Sequence, residues 1–261
     1  MNATRSIVLT LTALVAVALP LAAQQQQIVI PPQVASLIDA GLAQKQGRMD
    51  IPMAYLKTLY LPAQQGQVYP VFFFQLKNAD LGFAAPADNP ALLKSAHYLF
   101  LRVYRLSAGA APAVARERNA RFDLEEAQAA YQPEALNYYT LAGDIYPAGD
   151  YRLALAVTTP DYARMSVVYA DFTLPDPAQL KNQLATTPVF SVLNLQMLPA
   201  ADTRLTAHKN SFVYNTLMLA PKMINEFKAS ESLDLFYFII GATSDPASGA
   251  INAQITYTFK K

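Results

Sequence analysis

Cysteine and tryptophan are both absent from the 261 residues of this chain. Without cysteine, disulfide bonds, thiol catalysis and thiolate metal sites are excluded, so the fold must be held by its hydrophobic core. Histidine is scarce, with two residues, and glycine occurs nine times. No G-x-S-x-G, P-loop or G-x-G-x-x-G motif is present, which removes the usual sequence signatures of hydrolases and nucleotide-binding proteins.

Neither sign of charge predominates in the chain. Twenty basic residues face 19 acidic ones, for a formal net charge of +1. A nearly neutral protein has no overall field that would steer it to nucleic acid or to an acidic membrane. The one basic cluster, Ala115–Arg121, is interrupted by Glu117, and we expect it to be a solvated loop. We therefore predict no nucleic-acid partner.

The N-terminus has the layout of a signal peptide, which we assign to residues 1–23. Arg5 supplies a positive charge, and the apolar run Ile7–Leu19 is too short for a comfortable membrane span. Pro20 ends the run, and Ala22 and Ala23 provide small residues for cleavage. An uncleaved anchor is the alternative interpretation. We predict an exported protein, periplasmic or extracellular, with no membrane span after cleavage.

Apolar and aromatic residues are abundant and arranged in strand-like periods. Apolar residues make up 53% of the chain, with 15 tyrosines and 13 phenylalanines. Residues 71–76 and 97–106 are apolar on both faces, which indicates central strands covered on both sides. Residues 151–158 alternate, and this predicts a half-buried strand that forms a hairpin with residues 164–175. The class predicted is mainly β, with antiparallel sandwiches and a few short helices.

The predicted organisation has two sandwich domains after the signal peptide. Residues 24–47 form an N-terminal lead with a short amphipathic helix, and residues 48–175 form the first sandwich. Within it, we expect Asp123 to cap a short helix that runs to Ala130 and carries Glu125 and Glu126. Residues 176–187 form a connector, with Asp176 as a helix cap. Residues 188–261 form the second sandwich, and the sequence leaves its completeness open.

One motif carries the fold prediction: Ile145-x-Pro147-x-Gly149-x-Tyr151. It resembles the tyrosine corner of fibronectin type III and immunoglobulin-like sandwiches. The resemblance implies that the Tyr151 hydroxyl bonds backbone upstream, with Ile145 as an apolar anchor. The Cys…Trp…Cys pattern of immunoglobulin domains is absent. The same strand is similar to sandwiches of bacterial secreted GWxTD-type proteins, whose tryptophan this chain lacks. These four residues are predicted to be structural.

A faint internal repeat concerns the second domain. Residues 58–62 (TLYLP) precede VFFFQL, and residues 216–221 (TLMLAP) precede LFYFII. If the second domain repeats the first half of the first one, it stops before a tyrosine corner and leaves an unpaired strand edge, which is prone to association. Such an edge could be closed by the first domain, by a partner strand or second copy, or by residues beyond this chain.

The chemically capable residues are scattered. His97 and His208 have no spacing typical of a metal site. Asp144, Asp150 and Asp161 lie in turn sequences, where aspartate is common, although such loops can also bind calcium. The aromatic runs 72–74 and 236–238 are more typical of a core than of a carbohydrate platform. We predict no catalytic residue, metal ligand or cofactor, and the sequence assigns no binding residue.

Three functions remain open. The favoured one is an exported, non-enzymatic β-sandwich protein with a binding or structural role in the cell envelope or outside the cell, with a protein partner or self-association through an open edge of the second domain. The second is an exported carboxylate-dependent hydrolase, which needs a deep pocket with two carboxylates within catalytic distance; Glu125 or Glu126 could act there only with a partner across the cleft. The third is an outer-membrane β-barrel, suggested by the C-terminal alternation that ends near Phe259.

Overall fold

The computed structural model describes residues 30–180, 184–201, 206–223, 226–242, 245–249, 251, 255–256 and 258. In this part the chain is mainly antiparallel β-sheet packed as sandwiches, with one short α-helix and four short 3-10 turns. The predicted fold class is confirmed. The predicted signal peptide, residues 1–23, lies outside the described residues. None of the described helices is long and apolar enough to span a bilayer.

The elements follow one another along the chain with few long connections. The helix α1 covers Pro32–Gly41. The strands are β1 Met53–Pro62, β2 Val68–Lys77, β3 Leu92–Arg105, β4 Ala113–Ala127, β5 Leu136–Ala142, β6 Gly149–Thr158, β7 Met165–Leu174, β8 Ala185–Thr186, β9 Phe190–Met197, β10 Thr206–Lys209, β11 Phe212–Tyr214, β12 Leu217–Pro221, β13 Asp234–Phe236 and β14 Ile239–Ile240.

Two four-stranded sheets form the central sandwich. Sheet I has the order β1-β2-β5-β10 and sheet II the order β4-β3-β6-β7. Alternate residues of each strand face the seam between the sheets, as the period of two requires. The seam is filled by large buried side chains, among them Phe74, Phe122, Tyr139, Tyr151 and Leu155. The predicted central strands β2 and β3 do occupy interior positions in their sheets.

The outer face of sheet II is covered by α1. We expected strand β6 to be half-buried, but Ala154, Ala156 and Thr158 on its outer side are buried as well. The small alanines let the helix approach the sheet, where Val34 and Ile38 pack against it. The Tyr169 hydroxyl donates to the Ile38 carbonyl at 2.6 Å and fastens the helix.

The outer face of sheet I is covered by a third sheet. Sheet III has the order β11-β12-β9-β13. Phe212, Leu219 and Phe190 of sheet III pack against Phe73 and its neighbours on sheet I. Strand β10, which comes from the region predicted as a second domain, pairs with β5 and extends sheet I. The C-terminal region therefore shares its interior with the first sandwich.

Strand β4 corrects a sequence prediction. We expected a solvated loop at Ala115–Arg121 and a helix capped by Asp123, yet β4 is a 15-residue strand paired with β3 along its length. Phe122 and Leu124 of β4 face the core, and the charged Asp123 lies between them. The alanines and charges hid this alternation, because they are typical of helix surfaces. Only residues 128–130 form a helical turn, of 3-10 type.

The C-terminal region differs from the predicted repeat. Residues 235–240 are divided between β13, which pairs with β9, and β14, which pairs with β8. Neither strand pairs with β12, so the arrangement of β1 and β2 is not repeated. Residues 211–221 form the hairpin of β11 and β12, and Asn215 takes a positive φ of 55° in its turn. The predicted strand at 251–259 falls mostly outside the described residues.

Candidate interaction edge

The tyrosine motif lies where the chain crosses from sheet I to sheet II. The Tyr151 hydroxyl donates to the Pro147 carbonyl at 2.8 Å, four residues upstream. Its ring is 1% exposed and stacks on Phe172. Gly149 has a φ of +145°, which favours glycine at this bend. The prediction that Ile145 is the apolar anchor is wrong, because Ile145 is 39% exposed. Its neighbour Tyr146 is the buried residue.

A buried ion pair ties the same loop to strand β4. Asp144 accepts a hydrogen bond from Arg118 at 2.7 Å, and Arg116 lies 3.7 Å from the same carboxylate oxygen. Tyr146 packs edge-on against Tyr151, and burial raises its pKa. Its hydroxyl has no hydrogen-bond partner among the described residues. The corner is thus an element that joins the two sheets, with Asp144 serving as a structural anion.

The histidines are not brought together as a catalytic or metal-binding pair. His97 is buried in β3, where burial and then the Arg164 charge lower its pKa to about 4. Its Nδ1 lies 3.2 Å from Ser95 Oγ, and that hydroxyl donates to the Leu81 carbonyl. Ser95 is therefore engaged with backbone. His208 lies on β10, opposite Thr140 of sheet I.

The predicted carboxylates are separated and paired. Glu125 and Glu126 are adjacent on strand β4 and so point to opposite faces. Glu125 binds Lys94 at 2.8 Å, and Glu126 forms an ion pair with Lys209. Asp161 accepts from Thr159 in its own turn. The described residues contain no group of three metal-ligating side chains.

The groove beside Tyr151 is lined by two carboxylates. It measures about 560 Å³ and is lined by residues that include Asp150 and Asp171. Asp150 accepts a hydrogen bond from Thr173 at 2.7 Å. Arg152, followed by Lys45, lowers the pKa of Asp171 to about 2. A carboxylate held ionised in this way is a poor general acid near neutral pH.

Most long sheet edges in the described part of the chain carry a protective feature. Edge strand β4 is rich in arginine and glutamate, and charge discourages pairing with another strand. Edge strand β7 is covered by the segment before β1. The backbone amide of Asp50 donates to the Met165 carbonyl, and the backbone amide of Val167 donates to the Arg48 carbonyl. Edge strand β1 has a bulge next to Lys57. These features disfavour strand addition at β1, β4 and β7.

Strand β9 lacks such protection over half its length. It pairs with β12 from Val192 to Met197, but with β13 only from Phe190 to Val192. No described strand pairs with the far side of residues 193–197. The Leu198 amide donates to Thr216 on the β12 side. Because backbone groups alternate along a strand, Leu195 and Met197 direct their N–H and C=O groups to the open side.

The open half of β9 is also uncharged and apolar. No charged residue occurs from Phe190 to Leu198. Leu195 lies opposite the buried Leu219, and paired residues share a face, so Leu195 and Met197 continue the apolar face of sheet III. Yet Leu195 is 44% exposed and Met197 is 65% exposed. We call residues 193–197 the β9 edge.

Comparison with known proteins identifies no relative of this chain: no family model, no curated protein and no solved structure matches it.

The sequence predictions expected an open edge in the C-terminal region but did not identify the residues of the β9 edge. Its one sequence signal is the uncharged run SVLNLQML in a chain of 15% charged residues.

Proposed function

We propose that this chain is an exported, non-enzymatic β-sandwich protein with a binding or structural role in the cell envelope or outside the cell. It acts by protein contact at the β9 edge, which accepts an extended segment as an added strand. The observation that carries the proposal is an exposed, uncharged strand on which no described strand pairs with the outward backbone groups of Leu195 and Met197. Strand addition satisfies such groups and covers the apolar side chains.

The central sandwich is, in this proposal, a fibronectin type III-like domain. Its first, second and fifth strands lie in one sheet, and its third, fourth, sixth and seventh strands lie in the other. Immunoglobulin-like sandwiches likewise keep their first, second and fifth strands in one sheet and their third, sixth and seventh strands in the other. Tyr151 stands near the start of the sixth strand, at the crossing between the sheets, as in a tyrosine corner. Such domains commonly act as binding or structural modules.

The segment that fits the edge has a defined chemistry. It must be extended, because the outward N–H and C=O groups of Leu195 and Met197, which no described strand pairs, lie along one line. Apolar residues must stand opposite these two side chains, which otherwise remain in water. A charged residue there would lose solvation without an opposite charge to meet, since the edge has none. The proposed ligand is thus an uncharged β-strand with alternating apolar residues.

A non-enzymatic role is supported by how the carboxylates are used. Glu125, Glu126, Asp144 and Asp171 each neutralise a basic side chain of the same chain. These ion pairs join strands or sheets to one another. The polar groups that could do acid-base work are therefore engaged in holding the sandwich together.

The proposal is tested by photo-crosslinking in the cells that make the protein. A benzophenone amino acid replaces Leu193 in one variant and the exposed Asn119 of edge strand β4 in a control. We expect a discrete protein adduct from position 193 only. The Leu195→Pro change should abolish it, because proline removes an edge N–H that β12 does not use. The Leu195→Val change keeps this donor and should retain the adduct.

Two results would contradict the proposal. One is the absence of an adduct at position 193 in variants whose urea unfolding shows an intact fold. The other is an adduct that is equally strong at position 119 or insensitive to Leu195→Pro. Export is tested separately by the mass of the mature protein, which should begin at Gln24.

A further inference from the structure

We propose that the strand accepted by the β9 edge is the β9 edge of a second copy of this chain. The two edges pair antiparallel about a two-fold axis at Gln196, so that sheet III continues across both copies. This inference rests on the proposed function and names the partner of the same edge. It depends on two properties of residues 193–197, the direction of the free backbone groups and the order of the side chains.

The backbone defines the register of this pairing. The N–H and C=O groups of Leu195 and Met197 point away from β12, to a side where no described strand pairs with them. Leu198, and by alternation Gln196, bonds toward β12. With the axis at Gln196, Leu195 of one copy stands opposite Met197 of the other, and the reverse pair forms by symmetry. In each of these two Leu195–Met197 pairs the residues exchange two backbone hydrogen bonds, which gives about four bonds across the interface. Gln196 meets its own copy in the pair without hydrogen bonds between them.

The side chains are complementary to themselves in this register. Leu195 and Met197 share a face and cover each other across the axis, which removes two exposed apolar side chains of β9 from water. On the opposite face the two Gln196 amides stand side by side and can bond each other. A charged residue at the axis would stand opposite the same charge of the other copy. The β9 edge carries none.

The dimer should be concentration-dependent. Five residues on each side are far fewer than the roughly 20–30 residues a side of a standard stable interface. Two-fold pairing also closes on itself, because each edge is consumed by the other, so growth into filaments is not expected. The protein should therefore exchange between monomer and dimer, with no larger species.

The absence of cysteine permits a direct test by disulfide trapping. In the proposed register the Gln196 Cα atoms are about 4.5 Å apart, within the usual range of a disulfide. The matched control is Asn194→Cys, on the same face of the same strand. The two Asn194 Cα atoms would be about 13 Å apart, from roughly 3.3 Å per residue. Both positions are exposed, so their thiols are equally accessible.

Under mild oxidation, Gln196→Cys should form a covalent dimer at least about tenfold faster than Asn194→Cys. Leu195→Pro added to Gln196→Cys should reduce the rate to that of the control. Equal rates for the two variants, or no dimer from Gln196→Cys, would overturn the inference. An adduct at position 193 to a different protein, with no Gln196→Cys dimer, would refute self-pairing and leave the proposed function standing. Failure of both experiments would refute both.

Discussion

Two neighbouring tyrosines in the corner loop should respond oppositely to loss of their hydroxyl groups. Tyr151 and Tyr146 are both buried, and their rings pack edge to face with centroids 5.7 Å apart. The Tyr151 hydroxyl donates to the Pro147 carbonyl at 2.8 Å, whereas the Tyr146 hydroxyl has no partner in the described part of the chain. The changes Tyr151→Phe and Tyr146→Phe therefore remove the same atom from different environments.

The magnitudes follow from what each hydroxyl does. Tyr151→Phe keeps the ring against Phe172 but removes one hydrogen bond, a loss of about 0.5–1.5 kcal/mol. Pro147 is exposed, so water can take over its carbonyl, and the cost should not reach that of a buried unpaired group. Tyr146→Phe removes a buried hydroxyl that is desolvated without compensation. We expect it to leave stability unchanged or to raise it by up to about 1 kcal/mol.

Urea unfolding of the two variants and the parent protein provides the measurement. The midpoint should fall for Tyr151→Phe and stay or rise for Tyr146→Phe, with the same dependence on urea in all three. Equal losses in both variants would show that the hydroxyl partners are not those described. No loss in Tyr151→Phe would refute the structural role of the corner hydrogen bond.

Three further predictions concern acid stability, backbone packing and export. Burial lowers the pKa of His97 to about 4 in the folded chain. The unfolded chain therefore binds more protons between about pH 6.5 and 4, and the free energy of unfolding should fall by about 3 kcal/mol as the pH is lowered through this range. The variant His97→Phe should lose this part of the acid dependence in urea unfolding. Gly47→Ala should lower the free energy of unfolding by about 1–3 kcal/mol, because the added Cβ would lie 2.5 Å from the Val167 carbonyl oxygen. A urea midpoint equal to that of the parent protein would contradict this. Mass spectrometry of the mature protein should show Gln24 first, and a chain that retains Met1 would refute the signal peptide.

The parts of the fold that could be predicted are those whose period is visible in their own residues. Strand β2 is apolar on both faces and lies within its sheet, and β6 alternates with a hairpin partner after it. Strand β4 could not be recognised, because alanine and charge conceal its inward Phe122 and Leu124. The burial of the outer face of β6 was also missed, since it depends on a helix more than a hundred residues earlier.

The candidate edge shows a similar limit. The sequence predicted an open strand edge because the C-terminal region looked like a sandwich that stops before its last strands. The position of the edge, however, depends on which strands pair. Strand β13 covers β9 only as far as Val192, and β10 joins sheet I through β5. These are long-range pairings that local patterns do not encode. The uncharged run around Leu195 identifies the edge only after the pairing is known.

The β9 edge is tested most directly by amide hydrogen exchange, resolved by residue, over a series of protein concentrations. We expect the Leu195 and Met197 amides to exchange quickly in dilute protein and to slow together by at least about tenfold as the protein associates. The Gln196 amide, which bonds toward β12, should be protected at every concentration. Fast exchange of Leu195 and Met197 at all concentrations, or parallel behaviour of all three amides, would contradict it.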